Sequence, residues 1–108
     1  MRYVGNIIYD EILIDTQAKF VIFGAGGVGK KIYEFFDINI RTDSILCFCD
    51  SNCMLWDTEY QGIKIDNPQR VMQEHPECHF LTGGVYKEEI AEYLMSNGIE
   101  NIHILFLN

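Results

Sequence analysis

Lys19-Phe20-Val21-Ile22-Phe23-Gly24-Ala25-Gly26-Gly27-Val28-Gly29-Lys30-Lys31 decides the fold of this chain. A short apolar run enters a glycine-rich turn, and a helix-period pattern leaves it. Gly24, Gly26 and Gly29 give the spacing G-x-G-x-x-G, the fingerprint of a strand–turn–helix that holds nucleotide phosphates. Each glycine has its own task. Gly24 permits the tight turn, Gly26 opens the backbone to a pyrophosphate, and Gly29 lets helix and strand pack closely. The helix N-terminus then offers unpaired N–H donors and a positive dipole end. The amides of Gly26, Gly27 and Val28 are the expected phosphate contacts.

The stretch sets the frame for its surroundings. Phe20 to Phe23 is apolar throughout, as in a strand buried on both faces. A helix is expected from Gly27 to Asp37, with Val28, Ile32, Phe35 and Phe36 on its inner face. A second strand, Ser44 to Cys49, runs into Asp50-Ser51-Asn52. Asp50 stands about 20 residues beyond the last glycine, where an acid binds ribose hydroxyls. Ser51 joins it as a candidate ligand contact. Residues 51–62 show no period. Gly62 to Ile65 reads as an edge strand. Asn67-Pro68 starts a short helix, with Asn as N-cap and Pro at the first position. Cys78 to Leu81 is a fourth strand, and Thr82-Gly83-Gly84 follows it at the ligand-binding end of such sheets. A helix from Tyr86 to Asn97 with Gly98 as its cap and a strand from Asn101 to Phe106 complete the chain. Residues 1–18 carry Val4, Ile7, Ile8, Ile12, Leu13 and Ile14 without a clean period. The spacing of Val4, Ile8 and Ile12 fits a helix, and Ile12 to Ile14 fits a short strand. They read as an N-terminal arm or linker remnant before a domain at 19–108.

Alternating strands and helices imply a three-layer α/β/α domain around a mostly parallel sheet. An order of about 3-2-1-4-5 places the crevice between the first and fourth strands. The glycine loop, Asp50 and Thr82-Gly83-Gly84 then face one ligand, with Tyr86 at the mouth.

Composition narrows the function. The chain has 108 residues, room for one core, and 48% of them are apolar. Its net charge of −8 argues against nucleic acid or an anionic membrane as partner. No apolar run is long enough to span a bilayer, and the apolar N-terminal residues are broken by Asn6, Asp10, Glu11 and Asp15. A cytoplasmic location is expected. The four cysteines, 47, 49, 53 and 78, read as reduced thiols. Cys47-x-Cys49-x3-Cys53 with His75 or His79 is a poor match to zinc knuckles, so no metal is expected. His75 reads as a surface residue, His79 and His103 as strand residues, and Trp56 as a cover over the sheet edge.

Several chemistries fail on particular residues. A P-loop needs Ser or Thr where Lys31 stands. Tyr60-x3-Lys64 has the short-chain dehydrogenase spacing, but Gly62 and the strand pattern at 63–65 separate the pair. Class I methyltransferases carry an acid where Phe23 stands. The loop alone resembles that of ubiquitin-activating-like adenylating enzymes.

A fuller resemblance covers about residues 19 to 105. Phe23-Gly-Ala-Gly-Gly-Val-Gly-Lys30, Phe48-Cys49-Asp50-Ser51-Asn52, Trp56, Gly62 to Ile65, Pro68 and the Tyr86-to-Ile99 segment follow in order. The set resembles the Rossmann-type domains appended to bacterial glycosyltransferases and methyltransferases of polysaccharide biosynthesis. It is also similar to the N-terminal domain of sialic-acid- and bacillosamine-type nucleotide-sugar acetyltransferases. The resemblance implies a bound NAD(P) or nucleotide sugar and a place beside another domain of a larger enzyme. It carries no catalytic residue across. The expected function is thus a nucleotide-binding module. The alternatives are part of an oxidoreductase or sugar-modifying enzyme completed by another domain or subunit, or a ligand-free assembly domain that forms homo-oligomers.

Overall fold

The computed structural model describes residues 2–5 and 11–106, with side chains from residue 12 onward. Ile7 and Ile8 lie outside the described residues, as do the last two residues of the expected 19–108 domain.

The glycine stretch folds as its pattern dictates. Strand β2 is Phe20–Phe23, all four residues buried, and helix α1 follows from Gly27 to Asn39. Strand β3 is Ile45–Cys49, β5 Ile63–Asp66, β6 His79–Gly83 and β7 Ile102–Phe106. Helices α2, Pro68–Glu74, and α3, Lys87–Ser96, connect the later strands. Asn67 caps α2, its side chain accepting from Gln69 N–H at 3.0 Å. Gly98, at φ +82°, takes the left-handed turn after α3.

Two strands stand outside the expected set. Strand β4, Thr58–Tyr60, lies in the stretch without period, and β1, Arg2–Gly5, in the N-terminal segment. The sheet order is β1-β7-β6-β2-β3-β5-β4. Within it the expected 3-2-1-4-5 arrangement appears as β5-β3-β2-β6-β7, all parallel. The correction lies at the edges. Ile63–Asp66 is not an edge strand, because β4 pairs with it antiparallel through Tyr60↔Ile63. The hairpin loop is Gln61-Gly62 with φ of +53° and +77°, the two positive angles of a type I′ turn. At the other edge β1 pairs with β7 in parallel, Arg2↔His103 to Gly5↔Phe106. Glu11–Ile14 is a 3-10 turn rather than a strand, with Leu13 in the core and Ile14 exposed.

The core has two layers, one on each face of the sheet. Phe20, Ile22, Ile45 and Phe48 meet Ile32, Phe35 and Phe36 of α1. Val21, Phe23, Cys47 and Cys49 meet Val71 and Met72 of α2 and Ala91 and Leu94 of α3. Cys47 and Cys49 therefore share a face, as their spacing predicts. A register shift between Phe20 and Val21, paired with Ile45 and Cys47, leaves Leu46 as an extra residue. That bulge turns Leu46 out to solvent and lets Ile45 and Phe48, three apart, pack on α1 together.

Candidate functional site

The strand order reverses direction at β2. Its neighbours β3 and β6 are reached by crossovers on opposite faces, so a crevice opens at the carboxyl ends of β2 and β6. A cavity of about 520 Å3 lies there, within the range of small-molecule sites. The glycine loop forms its floor through Gly24, Gly26, Gly27, Val28 and Gly29. Asp50 and Ser51 flank it from the end of β3, and Gly83, Val85, Tyr86 and Ile90 from the end of β6 and the start of α3.

The loop geometry assigns the glycines different constraints. Gly24 has φ +113°, a conformation costly for any residue with a Cβ. At Gly29 a Cβ would lie 1.8 Å from the carbonyl oxygen of Gly24, so only hydrogen fits between helix and strand. At Gly26 and Gly27 a Cβ would meet nothing within 4 Å, because both face the open cavity. Gly26 is the N-cap of α1, and no side chain caps the helix. The first helical bond is Lys30 N–H to the Gly26 carbonyl at 3.0 Å. The amides of Gly27, Val28 and Gly29 precede that bond and form the donor end of the helix dipole.

Asp50 is more deeply built into the loop than its spacing implies. Its carboxylate accepts from Ala25 N–H at 2.8 Å through one oxygen and from Asn52 N–H at 2.8 Å through the other. The first bond ties the end of β3 to the glycine turn, beside the Gly24 N–H to Cys49 carbonyl bond of 2.7 Å. Trp56 Nε1 donates to the Asp50 carbonyl at 2.6 Å. Trp56 thus anchors the backbone of the site. A carboxylate accepts about four hydrogen bonds, so Asp50 retains capacity toward the cavity.

Two of the expected site residues lie outside this cavity. Thr82 belongs to β6, paired with Ile104, and is fully buried. Its hydroxyl donates to the Phe23 carbonyl at 3.4 Å. Strand β6 extends two residues past Leu81 because Thr82 and Gly83 find partners on β7, which draws Thr82 into the sheet. Gly84 turns away at φ +81°, packs on Val28 and lines a separate cavity of about 90 Å3. Gly83 remains in the wall, and a Cβ there would strike the Leu105 carbonyl at 2.6 Å. Tyr86 stands at the mouth, 71% exposed, beside Val85 at 86%. An adjoining lobe of about 290 Å3 adds Glu89 and Tyr93, with Phe23, Ser51 and Ile90 shared. The sequence holds a signal for this lobe, since Ile90 and Tyr93 share the apolar stripe of α3 with Leu94.

The other chemistry-bearing residues lie elsewhere. Cys47 and Cys49 are buried in the core and Cys53 is exposed, so the Cys-x-Cys-x3-Cys spacing does not gather into a ligand set. Burial, reinforced by the Asp66 carboxylate, pushes the Cys47 thiol up to about 12. Burial first, then Cys47 and Asp50, raises Cys49 well above its ordinary value. Cys78 is raised by burial and then by Glu77. Among the described residues His75, Glu77 and Cys78 bring donor atoms within 4.8 Å of one another, at the opposite end of the sheet from the cavity. His79 Nδ1 and His103 Nε2 share a hydrogen bond of 2.9 Å across β6 and β7. Tyr60 packs on Tyr33 and Phe48, while Lys64 pairs with Asp57 at 3.6 Å and Asp66 at 3.5 Å. Their dehydrogenase-like spacing builds no joint site. No helix among the described residues is long and apolar enough to cross a membrane.

Two solved structures share the fold, each with a TM-score of 0.62. One is RSP, a Rex-family repressor, at 17% identity over 88% of this chain. The other is UDP-D-quinovosamine 4-dehydrogenase from Vibrio fischeri, at 21% identity over 86% of it. The chain spans about half of the repressor, 48%, and 80% of the dehydrogenase chain. No curated protein matches the sequence. The two likenesses establish a Rossmann-type α/β fold. Residues 16–105 match one family throughout: the chain belongs to the C2185-like, N-terminal family.

Proposed function

We propose that this chain is a nucleotide-binding module whose crevice holds the pyrophosphate of NAD(P) or of a nucleotide sugar. The observation that supports it is convergence. The glycine loop, the uncapped start of α1 and Asp50 all face one cavity of about 520 Å3 where the sheet order reverses. In this reading the amides of Gly27 and Val28, with Gly26 beside them, receive the phosphates. Asp50 takes a ribose hydroxyl with the acceptor capacity that Ala25 and Asn52 leave it, and Ser51 adds a hydroxyl beside it. That arrangement favours a free 2′-hydroxyl. Gly83 forms the far wall, and Tyr86 meets the outer part of the ligand. Thr82 acts indirectly, by fixing the Phe23 carbonyl. The sugar-enzyme context rests on the resemblance of the whole motif set. The fold shared with an enzyme named for a UDP-sugar agrees with that context. The module is then accessory, and the reacting groups come from a neighbouring domain or subunit.

Thermal shift with NAD, NADP, UDP-sugars, CDP-sugars and S-adenosylmethionine tests the reading, because a ligand bound only by the folded state raises its stability. Stabilisation by a phosphate-bearing member is expected. The informative variant is Gly26→Asp. Against glycine an Asp at this N-cap gains α1 only about a few tenths of a kcal/mol, so the fold is kept, yet its carboxylate takes the phosphate seat. A ligand-free melting temperature that is little changed, together with loss of the ligand shift, is the expected outcome. An unchanged ligand shift in that variant, or no shift with any nucleotide, sinks the reading.

A further inference from the structure

We infer that the crevice selects nucleotides by charge, taking an oxidised nicotinamide dinucleotide over its reduced form and over nucleotide sugars, with Glu89 as a specificity-determining residue. The inference rests on the nucleotide-binding reading above and narrows it. Its basis is the sign of the lining. Among the described residues no lysine or arginine lines the 520 Å3 cavity or the adjoining 290 Å3 lobe, whereas Asp50 lines the first and Glu89 the second. The nearby cations are committed elsewhere. Lys30 Nζ sits 5.2 Å over the Tyr60 ring, and Lys87 Nζ 5.8 Å over the Phe106 ring. Lys31 lines the separate cavity behind Val28. Lys64 and Arg70 pair with Asp66 at 3.5 and 3.6 Å. The whole chain adds a field of net charge −8.

A pyrophosphate in this crevice meets backbone donors and a helix dipole but no compensating cation. Every further negative charge on the ligand is opposed, and a positive charge on it is favoured. The oxidised and reduced dinucleotides separate this effect from shape. They are close in size and share their phosphates and ribose hydroxyls, but the oxidised ring carries a positive charge that the reduced ring lacks. A UDP-sugar has no cationic group at all. At roughly 8 Å in a water-like dielectric, one carboxylate discriminates about two-fold between ligands differing by one charge. Two carboxylates and the surrounding field give roughly two- to five-fold.

Repulsion also reverses the usual salt response. Binding through lysine–phosphate contacts weakens as salt rises. Here screening relieves an unfavourable field, so the more anionic ligand gains affinity as the Debye length falls from about 30 Å to about 8 Å. Calorimetric titration of the chain with NAD+, NADH and UDP-glucose, at about 0.01 M and about 0.15 M salt, tests this. NAD+ should bind tightest at low salt, by roughly two- to five-fold over NADH. The gap should shrink at higher salt while NADH affinity rises. Glu89→Gln should narrow the low-salt gap by about two-fold. NADH or UDP-glucose binding as tightly as NAD+ at low salt, or affinities that fall with salt, overturns the inference and leaves the nucleotide reading standing. Binding of none of the three overturns both.

Discussion

Gly29 leaves no room for a side chain, and the obstacle is backbone. An added methyl meets the Gly24 carbonyl oxygen at 1.8 Å, and relief requires opening the turn between β2 and α1. Gly29→Ala should therefore cost about 2–4 kcal/mol, read from urea denaturation. Gly27→Ala faces open space and should change stability by less than about 1 kcal/mol while weakening a phosphate ligand. The motif gives Gly24, Gly26 and Gly29 separate tasks, and the structure adds Gly27 to the open positions. The structure divides them into Gly24 for its backbone angle, Gly29 for close approach, and Gly26 and Gly27 for access. Asp50 shows the same layering. Spacing alone places it beside a ribose, and only the fold reveals that its two oxygens tie Ala25 and Asn52. Asp50→Ala should then lose about 2–4 kcal/mol of stability with no ligand present, and Asp50→Asn, which keeps one acceptor, less than half of that. Chemical denaturation of both variants checks it. A loss of binding in Asp50→Ala is for this reason no measure of the ribose contact by itself.

At the scale of elements, those with a strong local signal were legible. Phe20–Phe23, the α1 stripe and the Asn67-Pro68 helix start declare themselves through composition and capping. Strand β4 did not, because it is a three-residue edge strand with Thr58 and Glu59 exposed and Tyr60 half-buried, too short to show alternation. Its partner and its turn define it. Gln61 holds φ +53° in a position that favours Asn or Gly. Gln61→Asn should stabilise the hairpin by about 0.5–1 kcal/mol, measured as a rise in denaturation midpoint. Strand β6 shows the opposite case. Thr82-Gly83-Gly84 has the composition of a loop, yet pairing with β7 carries the strand to Gly83 and moves the turn to Gly84. No local pattern distinguishes a glycine in a strand that needs close backbone approach from one in a loop.

For the molecule as a whole, the buried thiols tie stability to alkaline pH. Cys47 has an ordinary value of 9.0, raised in the fold to about 12, and Cys49 is raised as well. The folded chain keeps those protons while the unfolded chain releases them above about pH 9. Their contribution is whole below that point and is lost as pH climbs toward 12. Stability should fall by about 1.4 kcal/mol per pH unit through Cys47, with Cys49 adding to the slope. Urea midpoints across this range check it, and Cys47→Ala should flatten the slope by one proton's share. Exposed Cys53 should be the one thiol of the four that a bulky thiol reagent modifies in the native state.

The sequence by itself determined the strand–turn–helix at Phe20–Asp37, the parallel core order around β2, and the meeting of the glycine loop with Asp50. All of these follow from periodicity, capping and motif spacing, which are properties of neighbours along the chain. Tertiary structure alone decided that β1 and β4 extend the sheet, that Thr82 is buried, and that Glu89 joins the wall of the crevice. Those outcomes depend on which groups find partners across space, and a short edge strand has no signature until the partner is in place. The net negative lining of the crevice belongs to the second class. The chain contains 8 Lys and Arg residues, and only the fold shows that those nearest the site reach away from it.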